Sequence, residues 1–323
     1  MILPAFRLHR PATVDEAVRL AHDLGPGADF LGGGTDLLQN YKNRLNAKPH
    51  VIALDAVEEL RGVCGGRIGA MERLSSLERD PGLRRSVPAL AEAAAKVASP
   101  VIRHAATIGG NLLADHRCFW FNQTLEWRRA GTPCMKAEGD ECLVVPGTET
   151  CYAAYSGDLA PLLMVLGASL EIASASGRRT VPLSDFFQGD GISGNVLRTG
   201  ELLTAVLIPE EAAGLRAGYR KLRPREAMDY PEMGVAAAVR FGSHGALREF
   251  RVATTALDVV PQFVDYSAET KGRPLAEVLD DVAGKVQAGA NPRRNTTMPV
   301  AYRKRMAGVY LRRLLEDLAR GSV

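Results

Sequence analysis

The chain has 323 residues, 46% of them hydrophobic and 24% charged, which is enough apolar material for two or three cores. Forty basic against 37 acidic side chains leave a net charge of +3, too slight to draw nucleic acid or an anionic membrane surface. No apolar run approaches the ~20 residues of a membrane-spanning helix, and MILPAFRLHRPATVDEA lacks the apolar core of a secretory signal, so a cytoplasmic protein is expected.

In chain order, TVDEAVRLAHDL predicts the first helix. Thr13 and Glu16 stand at capping-box spacing, and Val14, Ala17, Val18 and Ala21 recur on one face. ADFLGGGTDLLQNYK reads as a short strand ending in three glycines, with Thr35 or Asp36 capping the next helix. HVIALDAV and GGRIGAM are strand-like, VPALAEAAAKVAS is helical, and SPVIRHAATIGGNLLA reads as a loop with a second glycine pair. GDLAPLLMVLG is helical, and ASLEIAS and RRTVPL are strands. The first half is therefore α+β, one domain over residues 1–180. From GELLTAVLIPE through AGYRKLRP, GVAAAVRF and LREFRVATTALD strand patterns dominate, and helices return at PLAEVLDDVAGKVQAG and VAYRKRMAGVYLRRLLEDLAR. A second domain is expected over residues 185–323, with the junction at 176–190. No solenoid period is present.

Two glycine loops carry the first chemical signal. Gly32, Gly33, Gly34 and Thr35 offer unshielded backbone N–H groups and a hydroxyl before a helix, a combination that binds phosphate oxygens. Thr107, Ile108, Gly109, Gly110 and Asn111 make a second such turn. Each alone is equally consistent with a bland strand-to-helix turn, and neither matches GxGxxG or GxxxxGK[ST]. Two loops together would grip both phosphates of a dinucleotide such as FAD.

Four of the five cysteines, Cys118, Cys134, Cys142 and Cys151, fall in one polar, glycine-rich stretch at spacing C-x15-C-x7-C-x8-C. Four thiolates suit a [4Fe-4S] cubane or a tetrahedral zinc ion. The absence of a C-x2-C knuckle favours the cubane, and a reducing compartment disfavours disulfides. A loop of Gly, Pro, Thr and Glu has no core of its own, so a bound metal group would fold it. Cys64 reads as a small buried hydrophobe, and His116, two residues before Cys118, as a surface residue or a neighbour of the metal group. Trp120 and Trp127 either cover the metal group or pack in an ordinary core. Arg128 and Arg129 read as a solvated face or a donor-docking patch.

FLGGGTDLL, HVIALDAVEELRGV, SPVIRHAATIGGNLLADH, SGDLAPLLMVLGASLEI and RRTVPLSDFF together resemble the FAD-binding medium subunit of the molybdenum hydroxylase family, which includes xanthine and carbon monoxide dehydrogenases. AGYRKLRPREAMDYPEMGVAAAVRF resembles the start of that family's C-terminal domain. The resemblance implies a PCMH-type (vanillyl-alcohol-oxidase-like) FAD domain of two α+β subdomains, then an α/β C-terminal domain of the CO dehydrogenase flavoprotein type. The family's diphosphate loops fall on Leu31, Gly32, Gly33, Gly34, Thr35 and Asp36, and on Thr107, Ile108, Gly109, Gly110 and Asn111. Asp158 matches an acidic position near the cofactor, with a helix N-cap as the alternative. Lys221 matches a basic position near the flavin ring, with a solvated strand residue as the alternative. The insertion at 115–155 is similar to that of one branch, the β subunit of 4-hydroxybenzoyl-CoA reductase, and implies that its four cysteines hold a [4Fe-4S] cluster.

The resemblance further implies an electron-transfer subunit with no catalytic residue of its own. Only Cys64 remains beyond the four loop cysteines, so [2Fe-2S] clusters and molybdenum must sit on partner chains. Expected partners are a large molybdenum-cofactor subunit and a small subunit with two [2Fe-2S] clusters, as a dimer of heterotrimers, with a ferredoxin-like donor. The alternative is a xanthine or CO dehydrogenase-like FAD subunit that passes electrons to NAD+ and holds zinc in its loop.

Overall fold

The computed structural model describes residues 2–321. Three sheets organise them. Arg7–His9, His50–Ala53 and Ala28–Leu31 form a parallel sheet with His50–Ala53 in the middle. The helix Val14–Leu24 packs on it through Val14, Ala17, Val18 and Ala21. Thr13 caps that helix by accepting the Glu16 N–H at 3.1 Å, and Glu16 returns a carboxylate to the Ala12 N–H.

The second sheet is antiparallel, in the order Val63–Cys64, Arg67–Gly69, Leu202–Leu207, Ser169–Ser174 and Gly177–Pro182. Its first hairpin turns at Gly65 and Gly66, both with positive φ, as a two-residue hairpin requires. Cys64 sits exposed at that tip, not buried as its apolar surroundings suggested, because a two-residue strand has no second layer over it. Leu202–Leu207 corrects the expected domain junction. This strand was assigned to the second domain, yet it pairs with both Arg67–Gly69 and Ser169–Ser174, so the chain leaves the first domain only between 207 and 216. Alternation marks a strand but not the sheet it joins.

The third sheet, antiparallel in the order Gln262–Asp265, Leu247–Thr255, Met233–Phe241 and Arg216–Leu222, belongs to the C-terminal half. MGVAAAVRF shows why it holds the molecule together. Met233, Val235, Ala237 and Val239 face the helices Leu275–Gly289 and Val300–Arg320, while Ala236 and Ala238 face the first-domain core. Against those alanines lies Leu159–Val165, a helix buried on every side.

SPVIRHAATIGGNLLA is not a plain loop. It holds the short helices Pro100–Arg103 and Ile108–Leu112, capped by Ser99 and Thr107. Elements this short show no periodicity, so only their caps announce them.

Arg303, fully buried, donates to the carbonyls of Glu232 (2.7 Å), Arg293 (2.9 Å) and Ala256, with the Glu232 carboxylate at 3.8 Å. It thereby fixes the segment whose Asn295 carbonyl accepts the Phe119 N–H at the mouth of the cysteine insertion. Arg303→Met is expected to destabilise the fold by about 3–5 kcal/mol, since it leaves three buried carbonyls without their donor and removes the cation facing the Glu232 carboxylate, which keeps its Thr296, Thr297 and Met298 donors. A thermal melt checks this.

Candidate flavin cleft and cysteine cage

Gly32, Gly33, Gly34, Thr35 and Asp36 line a cleft of about 370 Å³ between the first two sheets, opposite Thr107, Gly109 and Gly110. Among the described residues, the five N–H groups from Gly32 to Asp36 donate no hydrogen bond. Such a row of free donors suits an anionic diphosphate. The second loop differs. Four of its five N–H groups are engaged: Ile108 to the Glu72 carbonyl, Gly109 to Ala70, Gly110 to Thr107 Oγ1 and Asn111 to Thr107 O. The second loop therefore offers far fewer free donors than the first and buttresses it. A Cβ on Gly33 would stand 1.8 Å from the Ala105 carbonyl oxygen, and one on Gly32 would stand 3.1 Å from Thr107 Oγ1.

Leu31 ends its strand just short of the cleft, and Ile108 is buried beneath it. Asn111 binds a neighbouring helix: its Oδ1 accepts the Leu159 N–H at 3.0 Å. Asp36 does not cap its helix by a side-chain bond. Its carboxylate accepts instead from the Asp115 N–H (2.9 Å), Arg117 (3.0 Å) and the Tyr230 hydroxyl (3.2 Å), and Arg117 stacks 4.0 Å from the Tyr230 ring. One carboxylate thus joins the glycine loop, the neck of the insertion and the C-terminal half.

Asp158 and Lys221 meet each other. Asp158, buried, accepts from Lys221 Nζ at 3.0 Å and from the Tyr219 hydroxyl at 2.8 Å, and makes no N-cap bond. Burial pushes the Asp158 carboxyl up, and burial likewise lowers the Lys221 ammonium. Lys221 is thus not solvated; its carboxylate partner is Asp158. The pair ties the first domain to the third sheet.

Glu201 closes another side of the cleft. Arg179 binds it at 2.8 and 2.7 Å, and the Arg198 N–H adds a third bond. The Arg179 hydrogen bonds hold its carboxyl below the ordinary 4.5. A depressed carboxylate stabilises the fold above 4.5, and this contribution is lost as pH falls through the lower folded value. Glu201→Gln should flatten the acid limb of a Tm against pH curve below 4.5 relative to the unsubstituted chain.

The four insertion cysteines, all buried and unbridged, face one small cavity with Trp120, Phe121, Met135, Lys136, Leu143, Val144 and Ala153. Cys118, Cys134 and Cys151 belong to a small apolar core with Leu45, Phe121 and Ala153, so the insertion does have a core, built partly of sulfur. Its neck is pinned by Arg117 and Ala154, each donating to the other's carbonyl at 2.8 Å. Burial pushes the Cys118 thiol up to about 12 and the Cys151 thiol up to about 11, so any metal group must displace protons to bind here. Among the described residues no three His, Cys, Asp or Glu side chains close around a single metal ion.

Three neighbours depart from expectation. His116 is buried, its imidazole pushed down to about 3 by burial and the Lys136 charge. Arg128 is buried too, donating to the carbonyls of Asn43 and Arg44 beyond the first glycine loop's helix. Trp127 lies half exposed, its ring tilted 51° against Trp120 at 6.0 Å, and of the two only Trp120 lines the cavity. Leu45, Asp115 and Lys136 drew no attention as sequence because their partners lie far along the chain.

A family described as the FAD binding domain in molybdopterin dehydrogenase matches residues 4–211, and the CO dehydrogenase flavoprotein C-terminal domain matches 217–318. The chain belongs to the FAD-binding subunits of the molybdopterin dehydrogenases. These matches set the two domains as the sheets do, with the boundary after residue 211. Among relatives of this family, the aldehyde oxidoreductase FAD-binding subunit PaoB of Escherichia coli is 31% identical, covering 94% of this chain and 96% of that one. The carbon monoxide dehydrogenase medium chain of Afipia carboxidovorans is 30% identical, covering 98% and 97%. The reconstituted CO dehydrogenase from Oligotropha carboxidovorans superposes with a TM-score of 0.81 at 27% identity, over 99% of both chains. This FAD-binding subunit therefore has the expected fold, a PCMH-type domain followed by a CO dehydrogenase flavoprotein C-terminal domain, in an oxidoreductase of the molybdenum hydroxylase family. No helix among the described residues is long and apolar enough to cross a membrane.

Proposed function

We propose that this chain is the electron-transfer subunit of a 4-hydroxybenzoyl-CoA reductase-type enzyme, carrying FAD and a [4Fe-4S] cluster. The observation that carries this reading is the convergence of Cys118, Cys134, Cys142 and Cys151 on one cavity that shares a wall with the flavin cleft. Leu45 lines the cleft and belongs to the cysteine core, and Asp115 of the cleft is paired with Lys136 of the cage. The donor set is all thiolate, as a cubane prefers.

In this reading the free N–H groups from Gly32 to Asp36 hold the diphosphate, Thr107, Gly109 and Gly110 support that loop, and the Asp158–Lys221 pair sets how the C-terminal half meets the cofactor. Trp120, Phe121 and Val144 exclude water from the cage. Bound there, the cluster supplies one-electron chemistry and FAD supplies one- or two-electron chemistry. The subunit passes electrons from a low-potential donor such as ferredoxin toward a large molybdenum subunit and a small subunit with two [2Fe-2S] clusters. The assembly is a cytoplasmic dimer of heterotrimers, consistent with relatives named medium chain and FAD-binding subunit.

A second reading rests on those same names: a hydroxylase subunit handing electrons to NAD+, with zinc in the cage. Iron, sulfide, zinc and flavin analysis of the purified complex separates the two, together with dehydroxylation of 4-hydroxybenzoyl-CoA driven by reduced ferredoxin. Four iron and four sulfide per chain with ferredoxin-driven turnover is the expected result. One zinc per chain, or turnover only with NAD+, would overturn it.

A further inference from the structure

Lys136 lies in the turn Met135–Ala137, between the second and third cage cysteines, and lines the cavity. Its side chain is 3% exposed. Nζ donates to Asp115 Oδ1 (2.6 Å), the Gly191 carbonyl (2.7 Å) and the His116 carbonyl (2.9 Å), which uses all three donors of an ammonium. It also stands 4.7 Å from the centre of the Phe121 ring. A buried cation is costly to desolvate, and a hydrophobic residue of similar volume often replaces a buried ion pair without loss of stability. Sealing the cage therefore does not require a lysine. Asp115, on the other end of the ion pair, is one-third exposed and lines the flavin cleft.

We propose that Lys136 is a positioning residue that sets the reduction potential of the cage's cluster, opposed by Asp115 from the flavin side. The inference rests on the reading that the cage holds an iron–sulfur cluster. Reduction adds negative charge to a thiolate-bound cluster, and a fixed cation in a low-dielectric wall favours the more negative state. Three acceptors hold this cation against the cage, so its field acts without reorganisation. Asp115 partly cancels that field. The two substitutions must then move the potential in opposite directions, which a general loosening of the loop would not do.

The test is an EPR-monitored redox titration of the purified complex, with iron, sulfide and FAD counted in each sample. Lys136→Met is expected to shift the cluster midpoint to more negative potential, and Asp115→Asn to shift it to more positive potential, with four iron retained in both. If Lys136→Met does not retain iron, the sign of the Asp115→Asn shift decides. An unchanged midpoint in both variants, or shifts of the same sign, would overturn the proposal. Absence of iron from the unsubstituted complex would instead sink the cluster reading itself, a separate outcome from a cluster present but indifferent to these charges.

Discussion

Gly33→Ala is expected to strip FAD from the subunit. The added methyl would stand 1.8 Å from the Ala105 carbonyl oxygen, a contact with backbone that no rotamer relieves, so the first glycine loop must move away from the 105–107 segment. Overpacking of this kind costs roughly 1–3 kcal/mol, and the displaced loop is the one whose N–H groups are free. A loss of only 1.4 kcal/mol in binding weakens affinity about tenfold, and several misplaced donors should exceed that. Gly110→Ala supplies the contrast. Its Cβ would meet only Thr107 Oγ1, at 3.1 Å, and its N–H is already spent on that oxygen, so most flavin should remain. Flavin absorbance per protein after gel filtration reads both. Full flavin in Gly33→Ala would place the cofactor elsewhere.

That contrast also shows what the sequence could and could not reveal. Three consecutive glycines followed by threonine are visible as a phosphate loop because the signal is local: no Cβ, free N–H groups, a helix behind. The second loop has the same local look, yet its Ile108 and Gly109 donors end on the Glu72 and Ala70 carbonyls nearly forty residues earlier. No window around TIGGNL contains that information. Lys221 and Asp158, 63 positions apart, each invited a private role when their role is mutual. Leu202–Leu207 was legible as a strand and misassigned as to domain for the same reason, because its partners are Arg67–Gly69 and Ser169–Ser174. The cysteine spacing pointed to one shared site, and the four side chains do share one cavity. Invisible was that Leu45, Arg128 and Lys136 weld this site to the flavin cleft. Long charged side chains in polar stretches such as CMKAEGD look solvated until a fold buries them.

Cys134→Ala and Cys142→Ala are expected to abolish the cluster's EPR signal while leaving FAD in place and the insertion folded. The folding half of that expectation comes from contacts that do not involve sulfur. The neck keeps its two Arg117–Ala154 hydrogen bonds, Lys136 keeps three acceptors, and Phe121, Leu45, Ala153 and Trp120 still pack together. Replacing one buried thiol by a methyl removes a single apolar atom from that core, a cost of about 1 kcal/mol by the methylene rule. FAD should stay because none of the four cysteines lines its cleft. Cys64→Ser, on the exposed hairpin tip, should change neither cofactor. Turnover then decides what the cage is for. If it admits electrons, a cluster-free but folded variant should lose ferredoxin-driven dehydroxylation by orders of magnitude, while reduction of its FAD by a small chemical reductant stays normal. Should such a variant turn over with ferredoxin at the unsubstituted rate, the cage would be structural only, and electrons would enter at the flavin.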